Sequence, residues 1–244
     1  MVKKLGKLRL AFRLRSSLWN QVRQSLSDAE WRATQKPFLP QVQPESLLAK
    51  SARFELVSPH FRGGNVAALE LVVLAALVSQ QKPHCCIEIG TFDGNSTLQI
   101  AANALDCRIF TLDLPIDTSA PEGVAAGDVQ FIQADIRNKR RFADTPHAAR
   151  IEELFGDSKT FDFASVLDGN KLDLAFIDGS HSYDYVKSDT ERLLPLLAKD
   201  GLVIWHDYCR AWPGVVRFLA EFGQSRKLLH IADTSLVYWK RDEE

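Results

Sequence analysis

The sequence predicts a doubly wound α/β fold, in which a mostly parallel sheet carries helices on both faces. Three observations carry that expectation. Short apolar runs of strand length recur at 85–89, 108–112, 172–177 and 202–205, helix-length segments separate them, and each run ends in or beside a carboxylate. Parallel strands need long crossovers, and strands that are apolar throughout must be covered on both faces, so this alternation implies the class.

In chain order, residues 1–27 hold seven basic residues (Lys3, Lys4, Lys7, Arg9, Arg13, Arg15 and Arg23) and no acid. Leu8, Phe12, Trp19, Val22 and Leu26 fall near helical spacing, so the segment reads as a basic amphipathic helix. It could lie on an anionic membrane surface or act as an acid-poor transit peptide. The favoured reading is a helix packed on the domain or on a second copy of the chain, as in a homo-oligomer. It lacks the apolar stretch of a secretory signal.

Residues 28–62, with Pro37, Pro40, Pro44 and Pro59, read as a connector, which makes 1–62 an extension and 63–244 the main domain. The apolar run 66–78 is broken by Glu70 and is too short to span a bilayer, so a buried core helix is expected there. A strand over 85–89 stops at Gly90, a helix follows over 97–105, and a strand over 108–112 ends at Asp113. Further along come a strand over 172–177 ending at Asp178, a helix over 185–197 and a strand over 202–205 ending at His206-Asp207. A last helix over 214–222 precedes a strand pair, 228–231 and 235–239.

Length and composition bound the function. The chain's 244 residues, 45% hydrophobic and 25% charged, suit one substantial domain with a small appendage. A net charge of −1 gives no global electrostatic case for nucleic acid as the partner. Cys85, Cys86, Cys107 and Cys209 have no zinc or redox spacing, so buried thiols in a reducing, cytoplasmic setting are expected.

Ligands of doubly wound sheets bind at the carboxyl ends of the strands, where these acids should converge. The stretch EIGTFDGNST (88–97) is a strand, a glycine turn and a helix start. It departs from the dinucleotide G-x-G-x-x-G pattern, having only Gly90 and Gly94, with Phe92 where a pyrophosphate would need close approach. A ligand without phosphates fits better there. Asp113, about 20 residues beyond the turn, stands where a carboxylate accepts two ribose hydroxyls.

Together EIGTFDGNST, FTLDLP, FIDGSHSYDYV and GLVIWHDY resemble class I S-adenosylmethionine-dependent methyltransferases with a Rossmann-like sheet. The resemblance is to the small-molecule O-methyltransferase branch that includes macrolide-sugar methyltransferases and cephalosporin-hydroxylase-like proteins, and it runs over roughly 63–240. It implies O-methylation of a small hydroxylated metabolite with S-adenosylmethionine as donor. The turn Glu88, Gly90, Thr91, Phe92, Asp93, Gly94, Ser96 and Thr97 would shape the methionine end of the cofactor site, and Asp113 would hold the ribose. Adenine contact falls to Asp157 and Ser158 or to Asp135. Asp157, 21 residues before Asp178 against 43 for Asp135, has the more natural spacing.

On that reading 114–149 is an insertion or lid. Its basic run Arg137-Asn138-Lys139-Arg140-Arg141 either covers the site or is merely solvated. The resemblance further implies His181 as general base, since a neutral imidazole suits proton removal near pH 7. Asp178 would take a catalytic and cofactor-side position, and Asp178 and Asp207 would be ligands of a divalent metal. Where metal-dependent relatives commonly carry Glu-Asp, this chain has His206-Asp207. With His206 as a third ligand, Mn²⁺, Fe²⁺ or Zn²⁺ becomes more compatible than Mg²⁺, and no metal at all is an alternative. Phe161–Phe163 and 212–215 add aromatic surface with no assigned role. Two other readings stay open: a metal-dependent hydroxylase-like tailoring protein, and a catalytically silent binding or membrane-associated module.

Overall fold

The computed structural model describes residues 39–241 apart from 62, 117, 134–136 and 138. The basic amphipathic segment 1–27 and Asp135 therefore lie outside the described residues. The compact unit starts at Leu39, ahead of the expected boundary at 63. Leu39 is itself core, and β1 (Gln41–Val42) pairs in parallel with β7 (Leu229–Ile231), so this part of the connector is woven into the sheet.

Eight strands form one sheet: β1, β2 (Cys85–Ile89), β3 (Arg108–Asp113), β4 (Ile151–Phe155), β5 (Leu172–Ile177), β6 (Leu197–Trp205), β7 and β8 (Val237–Lys240). Their spatial order is β1-β7-β8-β6-β5-β2-β3-β4, and only β8 runs antiparallel to its neighbours. From β2 the chain runs outward through β3 and β4, then crosses back to β5 on the other side. The topological switch point thus falls between β2 and β5, where such sheets bind ligands.

Strand periodicity sorts the core into two layers. Ile87, Ile89, Ala175, Ile177, Val203 and Trp205 face α5 (Phe163–Leu167), α6 (Tyr183–Leu193) and α7 (Pro213–Phe222). Cys86, Leu174, Phe176, Leu202 and Ile204 face α2 (Ala68–Gln81) and α3 (Asn95–Asn103). Short α1 (Pro44–Leu47) packs Leu47 against the second layer, and α4 (Val129–Ile132) lies between β3 and β4 in the chain.

Local chemistry accounts for the differences from the expected elements. Pro195 has no N–H to donate, so α6 ends at Leu193 and a 3-10 turn replaces its expected last turn. Strand β6 starts at Leu197, earlier than expected, and pairs with β5 through a register shift at Leu172/Leu174. Strand β4 carries Glu152 and Glu153 on a sheet edge, which masks the apolar strand signal. Cys85, Cys86 and Cys107 are buried free thiols.

Candidate active site

The ends of β2, β3 and β5 are stitched together by backbone bonds: Gly90 N donates to Leu112 O at 2.8 Å and Asp178 N to Ile89 O at 2.9 Å. Gly90 has φ +99°, and a Cβ there would stand 2.0 Å from the Asp178 carbonyl oxygen, so only glycine permits this approach. Beneath the turn, Glu88 is fully buried and accepts from Ser96 Oγ at 2.5 Å, from Thr97 Oγ1, and from Thr111 Oγ1 at 2.7 Å. Burial pushes its carboxyl up to about 7 against the pull of those three hydroxyls. Its two oxygens are thereby spent on fastening β3 and the start of α3 to β2.

Asp113, at the end of β3, points into a cavity of about 280 Å³. It accepts from Phe92 N at 3.1 Å and Leu114 N at 2.8 Å, and pairs with Arg137 at 3.0 Å. The arginines Arg137 and Arg140 are therefore not solvated, being 2% and 9% exposed, whereas Lys139 is exposed. Arg140 binds Glu153 and the Phe92 carbonyl, while Arg141 Nε reaches Asp93 at 2.9 Å. The segment between β3 and β4 thus clamps the glycine turn through Arg140 and Arg141 and the end of β3 through Arg137. At the far wall, Asp157 accepts from Tyr185 Oη at 3.1 Å, and Ser158 lies beside it.

The other end of the cavity is a chain of imidazoles and carboxylates. Asp178 and His206 lie just beyond β5 and β6, in the alternation of Phe176 and Ile204, so both turn toward α2. There His206 Nδ1 lies 2.9 Å from Asp178 Oδ1 and 3.1 Å from Asp207 Oδ2, and Nε2 lies 2.9 Å from Glu70 Oε2. Asp207 Oδ2 also meets His181 Nε2 at 2.6 Å. On its other side, His181 Nδ1 meets Asp128 Oδ1 at 2.5 Å, and the ring stacks on Trp212 with centroids 3.9 Å apart. Asp128 Oδ2 accepts from His181 N at 3.0 Å and from Ser180 Oγ at 2.7 Å.

Electrostatics follows this order. Burial would lower the His181 pKa, but the bonds to Asp128 and Asp207 outweigh it and raise it to about 9. The expected neutral imidazole is thus, at pH 7, a ring with both nitrogens protonated. Burial acts to raise Glu70, yet His206 and Ser235 hold it down to about 2. Asp207 is likewise held far below the usual carboxylate range, burial being outweighed by His206 and His181. Asp178 is raised, because burial exceeds the pull of His206.

Of the residues singled out in the sequence, Gly90, Thr91, Phe92, Asp93, Ser96, Asp113, Asp157, Ser158, Asp178, His181, His206 and Asp207 line this cavity. Glu88, Gly94 and Thr97 are not on its wall. Sequence reasoning missed Asp128 and gave no site role to Glu70, the lone charge in an apolar helix, or to Trp212, noted only as aromatic surface; Arg137 fell in the basic run expected either to cover the site or to be solvated.

Among the described residues, Asp178, His181 and Asp207 each offer one atom within 4.8 Å of the others, a set that could hold a divalent ion, whereas His206, expected as a ligand, is not in that group. Asp178 Oδ1 and Asp207 Oδ2 face His206 Nδ1, and Asp207 Oδ2 also faces His181 Nε2.

A doubly wound sheet with one reversed strand, a glycine turn without the phosphate pattern and an acid ending the next strand define a Rossmann-like methyltransferase fold. A family described as a methyltransferase domain matches residues 87–208, half of the sequence, and the chain belongs to it. No curated protein matches the sequence.

Solved structures share the fold at low identity. The O-methyltransferase TomG of Streptomyces achromogenes, involved in tomaymycin synthesis and solved with S-adenosylmethionine, is 18% identical over 72% of this chain and 82% of its own (TM-score 0.51). An O-methyltransferase of Bacillus cereus in complex with S-adenosylhomocysteine is 16% identical over 74% and 84% (TM-score 0.52). The S-adenosylhomocysteine-bound methyltransferase PaMTH1 of Podospora anserina is 17% identical over 74% and 81% (TM-score 0.53). No helix among the described residues is long and apolar enough to cross a membrane.

Proposed function

We propose that this chain transfers a methyl group from S-adenosylmethionine to a hydroxyl oxygen of a small metabolite. The observation that carries the reading is one cavity with Asp113 at one end and the Asp128–His181–Asp207 chain at the other. Asp113 suits a vicinal diol, and Asp157 with Ser158 suits an adenine amino group. Glu70, Asp128, Asp178 and Asp207 outnumber the two imidazoles, so the cluster keeps an excess of negative charge even with both rings protonated. Such a wall favours a cationic ligand. When bound, the cofactor supplies an electrophilic methyl group on a cationic sulfonium.

His181 is the proton acceptor in this reading. Asp128 holds its Nδ1–H, leaving Nε2 turned toward the cavity, where it now donates to Asp207. To take the acceptor's proton, Nε2 must first release its own, so turnover rises with pH toward about 9, the pKa of the ring. The membership in a methyltransferase family disfavours the hydroxylase-like and silent-module readings.

Calorimetric titration with S-adenosylmethionine, followed by methyl transfer to a pool of small hydroxylated acceptors, tests the proposal. Binding in the micromolar range with label appearing in an ether product is expected. In His181→Ala, turnover falls roughly 10²- to 10⁴-fold with cofactor affinity nearly intact. Unchanged turnover removes the base role, and absence of cofactor binding overturns the reading.

A further inference from the structure

Trp212 joins three segments around the His181 ring. It stands at the N-cap of α7, and its indole lies flat on the imidazole, with centroids 3.9 Å apart and planes 15° from parallel. The 3-10 turn Ala126–Asp128 closes on the same indole: a Cβ at Gly127 would stand 2.5 Å and 2.7 Å from two carbons of its benzo ring. Gly127 is not at positive φ, so its backbone would accept other residues, and the indole is what leaves room only for glycine. Asp128, the next residue, holds the edge of that imidazole at Nδ1. Gly214, two residues beyond Trp212, lies so near the loop after β5 that a Cβ there would stand 2.5 Å from the His181 carbonyl oxygen. Two close backbone approaches thus seat one aromatic ring against the imidazole.

We propose that Trp212 is a positioning residue for methyl transfer, its indole fixing the plane of the His181 ring so that Nε2 stays aimed into the cavity when the acceptor hydroxyl replaces Asp207 as its partner. In the structure Asp128 and Asp207 hold the ring at its two nitrogens. Once Nε2 engages the acceptor, the bond to Asp128 is the one that remains, and a single hydrogen bond leaves the ring able to swing about its Cβ–Cγ bond. A stacked aromatic face at van der Waals distance removes that freedom and keeps the base in line with the hydroxyl. The inference rests on the proposed methyl transfer, because it assigns a role beside that reaction's base.

The test measures turnover on the pool of hydroxylated acceptors and calorimetric S-adenosylmethionine affinity in Trp212→Leu, Trp212→Phe and Gly127→Ala of the full chain. Trp212→Leu is apolar but cannot stack, and it should lower turnover about 10- to 100-fold with cofactor affinity within about twofold of native. Trp212→Phe restores a flat face and should return turnover to within about fivefold of native. Gly127→Ala alters neither ring yet pushes the indole from its seat, so turnover should fall there too. Proton spectra of the native chain give a signature that needs neither turnover nor a folded Trp212→Leu: the His181 ring protons should be shifted upfield by the indole ring current, and less so in Gly127→Ala. Native turnover in Trp212→Leu or Gly127→Ala, a Trp212→Phe chain no better than Trp212→Leu, cofactor affinity falling in step with turnover, or unshifted His181 protons in the native chain would each overturn the inference. A native chain that methylates no acceptor would sink the methyl-transfer reading and the role drawn from it, while shifted His181 protons would leave the stack itself standing.

Discussion

Asp128, on the segment between β3 and β4, holds His181 with two contacts and Ser180 with a third: its Oδ1 meets His181 Nδ1 at 2.5 Å, and its Oδ2 accepts from the His181 amide at 3.0 Å and from Ser180 Oγ at 2.7 Å. That segment is thus part of the site.

Asp128→Asn keeps the size of the side chain and removes the charge that fixes the imidazole. Turnover should drop about 10²-fold while the affinity for S-adenosylmethionine changes little. Losing an anion beside the ring also lowers its pKa, so the rising limb of the pH–rate profile should move to lower pH. A profile that stays in place would assign Asp128 a purely structural role.

Asp113 offers the carboxylate at the ribose end, at present shared with Arg137. Asp113→Ala should weaken S-adenosylmethionine binding about 10- to 100-fold, the worth of charged hydrogen bonds of roughly 1.5–3 kcal/mol. Asp113→Asn should fall between the two. Equal affinity in calorimetry for all three proteins would place the ribose elsewhere.

Gly90→Ala introduces a Cβ 2.0 Å from the Asp178 carbonyl at a φ of +99°. The expected loss is about 3 kcal/mol or more in chemical denaturation, because strain and a backbone clash add. Gly169, also at positive φ but with open space around it, should tolerate alanine better.

Stability should peak on the acid side of neutral. Glu70, held at about 2 against an ordinary 4.5, contributes stability above pH 4.5 that is lost as pH falls through 2. His181, raised from 6.5 to about 9, contributes stability below pH 6.5 that is lost as pH rises through 9. Glu88, raised to about 7, loses its contribution over 4.5–7 in the same direction. The His181 share alone is about 3 kcal/mol at 1.36 kcal/mol per pKa step. Denaturant midpoints should therefore decline from about pH 5 to about pH 9, and a midpoint that rises over that interval would contradict the charge arrangement.

Much of this molecule is written locally. Apolar runs of four to six residues stopping at Asp113, Asp178 and Asp207 set the strands and their carboxyl ends, and the lone pair of glycines around Phe92 set a turn unlike a dinucleotide fold. Alternation along β5 and β6 even settles that Asp178 and His206 share a side. What only the tertiary structure decided are the partners across long gaps: Glu70 meets His206 over 136 residues and Asp128 meets His181 over 53. A carboxylate in an irregular segment has no periodicity to betray it, and Arg137, Arg140 and Arg141 look solvated until carbonyls and acids are seen to receive them. Strand geometry is a property of neighbours in sequence. The protonation of His181 and His206 is a property of what the fold places around them.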